Sequence, residues 1–75
     1  MHMNDFTEQL RKLYEMSYLA EGYGEVKALV VDKDADCKNN PEMKACLDEG
    51  YRFIDENLFG QGQECQGKVV VFIKE

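Results

Sequence analysis

The segment DKDAD at positions 32–36 comes nearest, of any stretch in this chain, to a motif with a known chemistry. Carboxylates at the first, third and fifth positions are how a calcium-binding loop begins. The remaining ligands are missing, because Cys37 stands where the turn needs glycine and Met43 stands where a bidentate glutamate is needed. We therefore expect no metal and no cofactor. A metal- or small-molecule-binding module that uses Asp32, Asp34 and Asp36 is the alternative function.

Groups for covalent catalysis are sparse. One serine, one threonine and one histidine leave no set from which a catalytic triad can be assembled. The cysteines lack the paired spacing of zinc ligands, and their odd number is atypical of a disulfide framework; they are Cys37, Cys46 and Cys65. We expect reduced thiols and no enzymatic activity. The second expected helix should also hold Cys37 and Cys65 too far apart to bridge.

Acidic side chains of that second helix give the strongest functional indication. At 100° per residue, four acids lie within about 120° of arc around one arginine; these residues are Asp48, Glu49, Arg52, Asp55 and Glu56. A solvated helix face is one interpretation, and a recognition surface for a basic partner is the other. Tyr14 and Tyr18, near the end of the first helix, are suited either to anchor an interface or to close the core.

Length and charge narrow the class of partner. We expect the 75 residues to make one domain, 1–75, in which residues 1–3 are either a cloning remnant or a disordered start. A net charge of −6 disfavours nucleic acid and anionic membrane surfaces and suits a basic protein. No apolar run is long enough to span a bilayer, and we expect a cytoplasmic protein.

Two helices should position these residues. The first is expected over residues 5–20, with Asn4 or Asp5 as its N-cap and Gly22 or Gly24 beyond its end. The second starts from Asn40 as N-cap, followed by a proline in the first turn, and is expected to continue to Gly60. Residues 60–67 then form a flexible connector.

Two apolar segments should form strands. Residues 25–32 are short and β-branched, which favours a buried strand, with a continued helix as the alternative. Residues 68–74 contain the run Val69–Ile73, which indicates a strand covered on both faces.

The order α-β-α-β predicts an α+β fold, in which two amphipathic helices pack on a small sheet. A strand, a helix and a strand form a βαβ unit, expected to be parallel and right-handed; antiparallel pairing within the chain is the rival arrangement. Because two strands make a poor sheet, we expect a homodimer in which the Val69–Ile73 strands meet. The expected function is that of a small acidic regulator or inhibitor that binds a basic protein, with a structural assembly subunit as a further alternative.

Overall fold

The computed structural model describes residues 3–61 and 64–74. In chain order these residues form α1 (Met3–Ala20), β1 (Glu25–Val31), α2 (Pro41–Asp48), β2 (Arg52–Gln61) and β3 (Glu64–Lys74). The strands make one antiparallel sheet in the order β1-β3-β2. The expected α+β class, with two helices and a small sheet, is therefore confirmed. Neither described helix is both long and apolar enough to cross a membrane.

The expected βαβ unit is wrong, and the rival antiparallel pairing is what forms. β1 and β3 run in opposite directions, with Glu25 opposite Lys74 and Val31 opposite Lys68. The segment between them contains a second strand as well as a helix. This extra strand, β2, pairs with the other side of β3.

Helix α1 ends at Ala20, two residues before Gly22, as a glycine at this position predicts. The N–H groups of Glu21 and Gly22 donate to the carbonyls of Tyr18 and Leu19, each at 3.0 Å. Gly22 has a φ of +108°, a region that only glycine enters readily. The left-handed glycine thus satisfies the last carbonyls of the helix and turns the chain towards β1.

Helix α2 begins as predicted but ends twelve residues early, at Asp48 in place of Gly60. At its start, the side chain of Asn40 accepts a hydrogen bond of 3.0 Å from the N–H of Met43. At its end, the N–H of Gly50 donates to Leu47 and the N–H of Tyr51 donates to Cys46, both at 3.0 Å. This pair of bonds is a Schellman motif.

Gly50 therefore stops the helix, which was expected to run through it to Gly60. Its φ of +95° supplies the left-handed residue that the motif requires. Residues 52–61, expected to be the second half of the helix, are strand β2. The expected connector at 60–67 is also wrong where it is described, because β2 reaches Gln61 and β3 starts at Glu64.

Strand β3 lies in the middle of the sheet and is buried on both faces, as the unbroken Val69–Ile73 run predicts. On the face that carries α1, Val69 and Val71 pack with Ala28. On the opposite face, Val70 and Phe72 pack with residues from β1, α2 and the intervening loop; these are Leu29, Val31, Ala35, Met43 and Cys46. One strand thus contributes alternate residues to two separate cores.

The pairing of β3 leaves no free strand edge for the expected dimer through Val69–Ile73. The backbone of β3 is paired with β1 on one side and with β2 on the other. The strand therefore has no unpaired edge along Val69–Ile73 to offer a second chain. The need for cover that motivated this interface is met within one chain, because the missed strand β2 supplies the other neighbour.

Candidate functional site

The acidic residues that were expected to share one helix face are divided between the C-terminal end of α2 and strand β2. Asp48 is the last residue of α2 and Glu49 is its C-cap. Arg52, Asp55 and Glu56 lie on β2. The convergence on a single face is wrong, because the helix that would have created it stops before Gly50. A binding role for each residue stays a prediction.

Asp55 and Glu56 point to opposite faces of the sheet, as neighbours on a strand do. On the α1 face, Asp55 accepts a hydrogen bond from the hydroxyl of Tyr18. On the α2 face, Glu56 accepts one of 2.6 Å from the ammonium group of Lys68. Of the seven residues expected to bind a partner, the structure thus brings Tyr18 and Asp55 into direct contact. Tyr14 packs with Tyr18 against the α1-face core.

The Tyr18–Asp55 contact alters the acidity of both groups. The pKa of Tyr18 is raised from 10.0 to about 12; the hydrogen bond to Asp55 is the largest cause and burial is the next. The same bond lowers the pKa of Asp55 below its ordinary value, against the opposing effect of burial. Both shifts favour a neutral phenol that donates to an ionised carboxylate at neutral pH.

A continuous open groove runs along the end of the sheet where β1 leaves it. It consists of three adjoining depressions, of which the first and second share Asp32, Asn40 and Gln66. The second and third share Thr7, Val30 and Glu42. We call this the sheet-end groove; its remaining lining residues are Glu8, Arg11, Leu29, Val31, Lys33, Asp34, Ala35, Asn39 and Phe59.

Three other parts of the chain meet β1 and the loop that follows it at this groove. The N-terminal half of α1 contributes Thr7 and Glu8, and the first turn of α2 contributes Glu42. The hairpin strands contribute Phe59 and Gln66. They meet because Val31 pairs with Lys68 at this end of the sheet, which sets Gln66 beside the loop that follows β1.

Hydrogen bonds within the loop at 32–40 hold one wall of the groove. The carboxylate of Asp36 accepts from the N–H groups of Lys38 and Asn39, both at 2.8 Å, and Asn39 accepts from the N–H of Asp36 at 2.9 Å. These backbone donors lower the pKa of Asp36. The loop is thus fixed by its own side chains, while exposed Asp32 and Asp34 face the groove.

The groove carries more acid than base. Arg11 bonds Glu8 at 2.8 Å and Glu15 at 3.4 Å, so its positive charge is shared between two carboxylates. Asp32, Asp34 and Glu42 form no ion pair with another residue of ranges 3–61 and 64–74. Beneath these acids the groove has an apolar floor that includes Val30 and half-buried Phe59. Its chemistry therefore suits a ligand with both basic and apolar groups.

The acids of the 32–36 segment do not converge as metal ligands do. Asp36 turns into its own loop, whereas Asp32 and Asp34 line the groove. Within the described ranges, no three His, Cys, Asp or Glu side chains are placed to hold a metal ion together.

The cysteines fall into different environments. Cys46 is buried in the α2-face core, and burial raises the pKa of its thiol. Cys37 packs against the same core, and both thiols are unbridged. The expected separation of Cys37 from Cys65 rested on a long second helix and a parallel sheet, neither of which forms. The side chain of Cys65 lies outside what the structure describes.

Most groove residues escaped the sequence analysis, because they come from four segments that only the antiparallel sheet brings together. Asp32 and Asp34 were noticed for their spacing, as calcium ligands. Comparison of the chain with protein-family models, with curated proteins and with solved structures gives no match.

Proposed function

We propose that this chain is a small acidic protein-binding domain, a regulator or inhibitor in type, that holds a basic segment of a partner protein in the sheet-end groove and catalyses no reaction. The observation that carries the proposal is the continuity of the groove. Three depressions adjoin through shared lining residues; carboxylates line each of them, and Val30 and Phe59 add an apolar floor in the second.

The form of the groove favours a polypeptide over a small molecule. Small-molecule sites are mostly concave and apolar, and they bury most of the ligand. This groove is open, and its rim carries exposed acids at positions 32, 34 and 42. An extended segment with alternating basic and apolar side chains would place its charges at the rim and its apolar groups on Val30 and Phe59.

Charge supports the same choice of partner. The chain carries −6 overall, so a basic segment is attracted before contact. Rim carboxylates of this kind act mainly on the association rate, and their effect is screened as salt rises. Binding should therefore be stronger at low ionic strength and should weaken towards physiological salt.

The test uses a defined probe, a peptide of alternating lysine and valine, with a glutamate–valine peptide as its charge control. Backbone amide NMR shifts of the ¹⁵N-labelled chain are followed during titration. We expect salt-sensitive shifts centred on residues 32–34, 42 and 66 with the lysine peptide and none with the glutamate peptide. The double variant Asp32→Lys/Glu42→Lys should weaken binding about tenfold or more.

The matched control is Asp48→Lys/Glu49→Lys, which makes the same change in net charge at the other end of α2. It should keep most of the affinity, because these residues do not line the groove. Equal losses in the two variants would show that binding follows overall charge alone. Shifts centred on residues 48–56 would return the binding surface to the acids that the sequence analysis favoured.

A further inference from the structure

Helix α1 carries more apolar surface than the sheet covers. Leu10, Tyr14 and Tyr18 face the sheet and pack on its core. A second line of apolar side chains on the same helix is exposed to solvent: Phe6 is 52% exposed, Leu13 64% and Met16 66%. Large apolar side chains exposed in a line, and not singly, indicate a surface that another molecule covers.

Helix α1 lies off the centre of the sheet, and its position determines which part of the sheet lies beside the exposed side chains of Phe6, Leu13 and Met16. α1 packs chiefly on β1 and less on β3. On its outer side, the carboxylate of Glu15 accepts a hydrogen bond of 2.9 Å from the N–H of Ala28 on β1. On its other side, the ring of Phe6 lies 6.3 Å from that of Phe59 on β2. Leu13 follows Phe6 by two helical turns and so lies on the same side.

The exposed line therefore borders β2, the part of the sheet that α1 covers only in part. The surface of β2 on this face presents half-buried Asp55, Asn57 and Phe59. Together with the exposed side of α1 it forms a recess with a helical wall and a strand floor, which we call the α1 recess. It is separate from the sheet-end groove, although Phe59 borders both.

The spacing on α1 specifies a helix as the occupant. Residues 6, 9, 13, 16 and 20 read Phe, Gln, Leu, Met and Ala, with intervals of three and four. This is the spacing of the seam along which two helices pack side by side. A strand is a poor occupant, since the carboxylate of Asp55 already binds the outward N–H of Glu56 on β2, at 2.9 Å.

We infer that the α1 recess is the interface of a homodimer, in which α1 of a second copy lies beside α1 and over β2. The second copy carries the same seam, and a two-fold axis makes the contact self-complementary. Each α1 then covers the β2 strand of the other chain. The two sheets form the outer layers and the two helices lie between them.

Charge complementarity supports a second copy in this position. Lys12 is exposed on the side of α1 that points away from its own sheet, close to Met16 on the helix surface. In the dimer that side faces β2 of the partner, where the ionised Asp55 lies. Symmetry forms this lysine–aspartate contact twice, and it offsets part of the repulsion between two chains of charge −6.

Sedimentation equilibrium and light scattering from low micromolar to near-millimolar concentration test the inference. We expect a reversible rise from the chain mass of 8.7 kDa to about twice that value. Leu13→Glu and Met16→Glu should each raise the dissociation constant about tenfold or more, because they place a charge between apolar side chains. Circular dichroism should show that both variants keep the fold, as expected for exposed positions.

The matched control is Leu58→Glu, because Leu58 is as exposed as Met16, at 66%, but lies on the opposite face of the sheet. It should leave dimerisation unchanged. Lys12→Glu should weaken the dimer, whereas Lys44→Glu, at an exposed position on α2, should not. Asp32→Lys/Glu42→Lys should leave the dimer intact, and Leu13→Glu should leave lysine-peptide binding intact, so the two proposals fail separately.

Three outcomes would overturn the inference. The first is a monomer at every concentration, and the second is a dimer that survives both Leu13→Glu and Met16→Glu. The third outcome concerns a helical lysine-rich peptide with leucines at the intervals of three and four that α1 shows. If the chain stays monomeric but binds this peptide in a Leu13-dependent manner, the recess takes a helix of another protein and not a second copy.

Discussion

Tyr18 on α1 donates its hydroxyl hydrogen bond to the carboxylate of Asp55 on β2, 37 residues further along the chain. The bond joins the helix to the strand farthest from it, because α1 rests mainly on β1 at the other side of the sheet. It ties β2 to α1, together with the contact between the rings of Phe6 and Phe59.

Removing this bond with Tyr18→Phe should lower the free energy of unfolding by about 1 kcal/mol at neutral pH, since the site is half-buried. The folded pKa of Tyr18 is raised from 10.0 to about 12, so its contribution is complete below pH 10 and is lost as pH rises through about 12. The folded pKa of Asp55 is lowered, so its contribution is present above the usual carboxyl pKa and is lost as pH falls through the lowered value.

Urea unfolding across the pH range measures both effects. The difference between wild type and Tyr18→Phe should be largest near neutrality and should shrink at both extremes. Tyr14→Phe, on the same helix face, is the control and should follow the wild-type pH profile. A constant difference at all pH values would show that the variant acts by packing alone.

Gly67→Ala should destabilise the sheet by about 1 to 3 kcal/mol, because the new methyl group has no space. A Cβ at this position would lie 2.8 Å from the carbonyl oxygen of Val31 and 3.3 Å from ring atoms of Phe59. The carbonyl belongs to the backbone of β1 and cannot turn aside as a side chain does. Thermal and urea denaturation measure the loss, and Gly24→Ala, whose Cβ meets its nearest atom at 3.4 Å, is the control. Equal stability of the two variants would contradict the crowding at Gly67.

Gly50→Ala should cost about 1 to 2 kcal/mol for a different reason, since it is backbone conformation that is restricted there. Gly50 is exposed and its φ is +95°. Gly50→Asn should recover part of the loss, because asparagine enters the left-handed region more readily than alanine. Chemical denaturation of the three proteins gives the order. If alanine and asparagine are equally destabilising, the loss comes from something other than the left-handed turn.

Glu15→Ala should both destabilise the chain, by about 1 to 2 kcal/mol, and make it aggregate faster. The carboxylate of Glu15 holds the N–H of Ala28 on the outer strand β1 and also contacts Arg11. Without it that strand offers an unpaired donor to other chains. Light scattering during incubation measures aggregation, and Glu8→Ala, which removes an exposed partner of Arg11, is the control. If the two variants aggregate at similar rates, the unpaired N–H on β1 is not the cause of the aggregation.

Local signals in the sequence located α1, β1, β3 and the start of α2, because caps, glycines and apolar runs act over a few residues. The error came at Gly50. Apolar residues from Met43 to Leu58 fit a single helical arc, and Gly60 offered an end, so the expected helix continued through Gly50. The hydrogen bonds that mark the end of the helix, from Gly50 to Leu47 and from Tyr51 to Cys46, are seen only in the folded structure.

That one misplaced boundary accounts for most other differences. With β2 taken as helix, β3 had a single neighbour, and a second chain was needed to complete the sheet. The acids at 48–56 acquired a common face that a strand cannot give them. The sheet-end groove depends on the pairing of Val31 with Lys68, a contact across 37 positions that no local pattern encodes.

The position of β3 also fixes when the sheet can form during synthesis. β3 is the last of the three strands along the chain and the middle one in space, and β1 and β2 each pair with it and not with each other. Glu25 cannot pair until Lys74, about fifty residues later, has been synthesised. At ordinary rates of translation this synthesis takes about 2 to 10 seconds. Until then the apolar residues of β1 have no strand to pair with, and the completion of β3 allows both pairings to form at once.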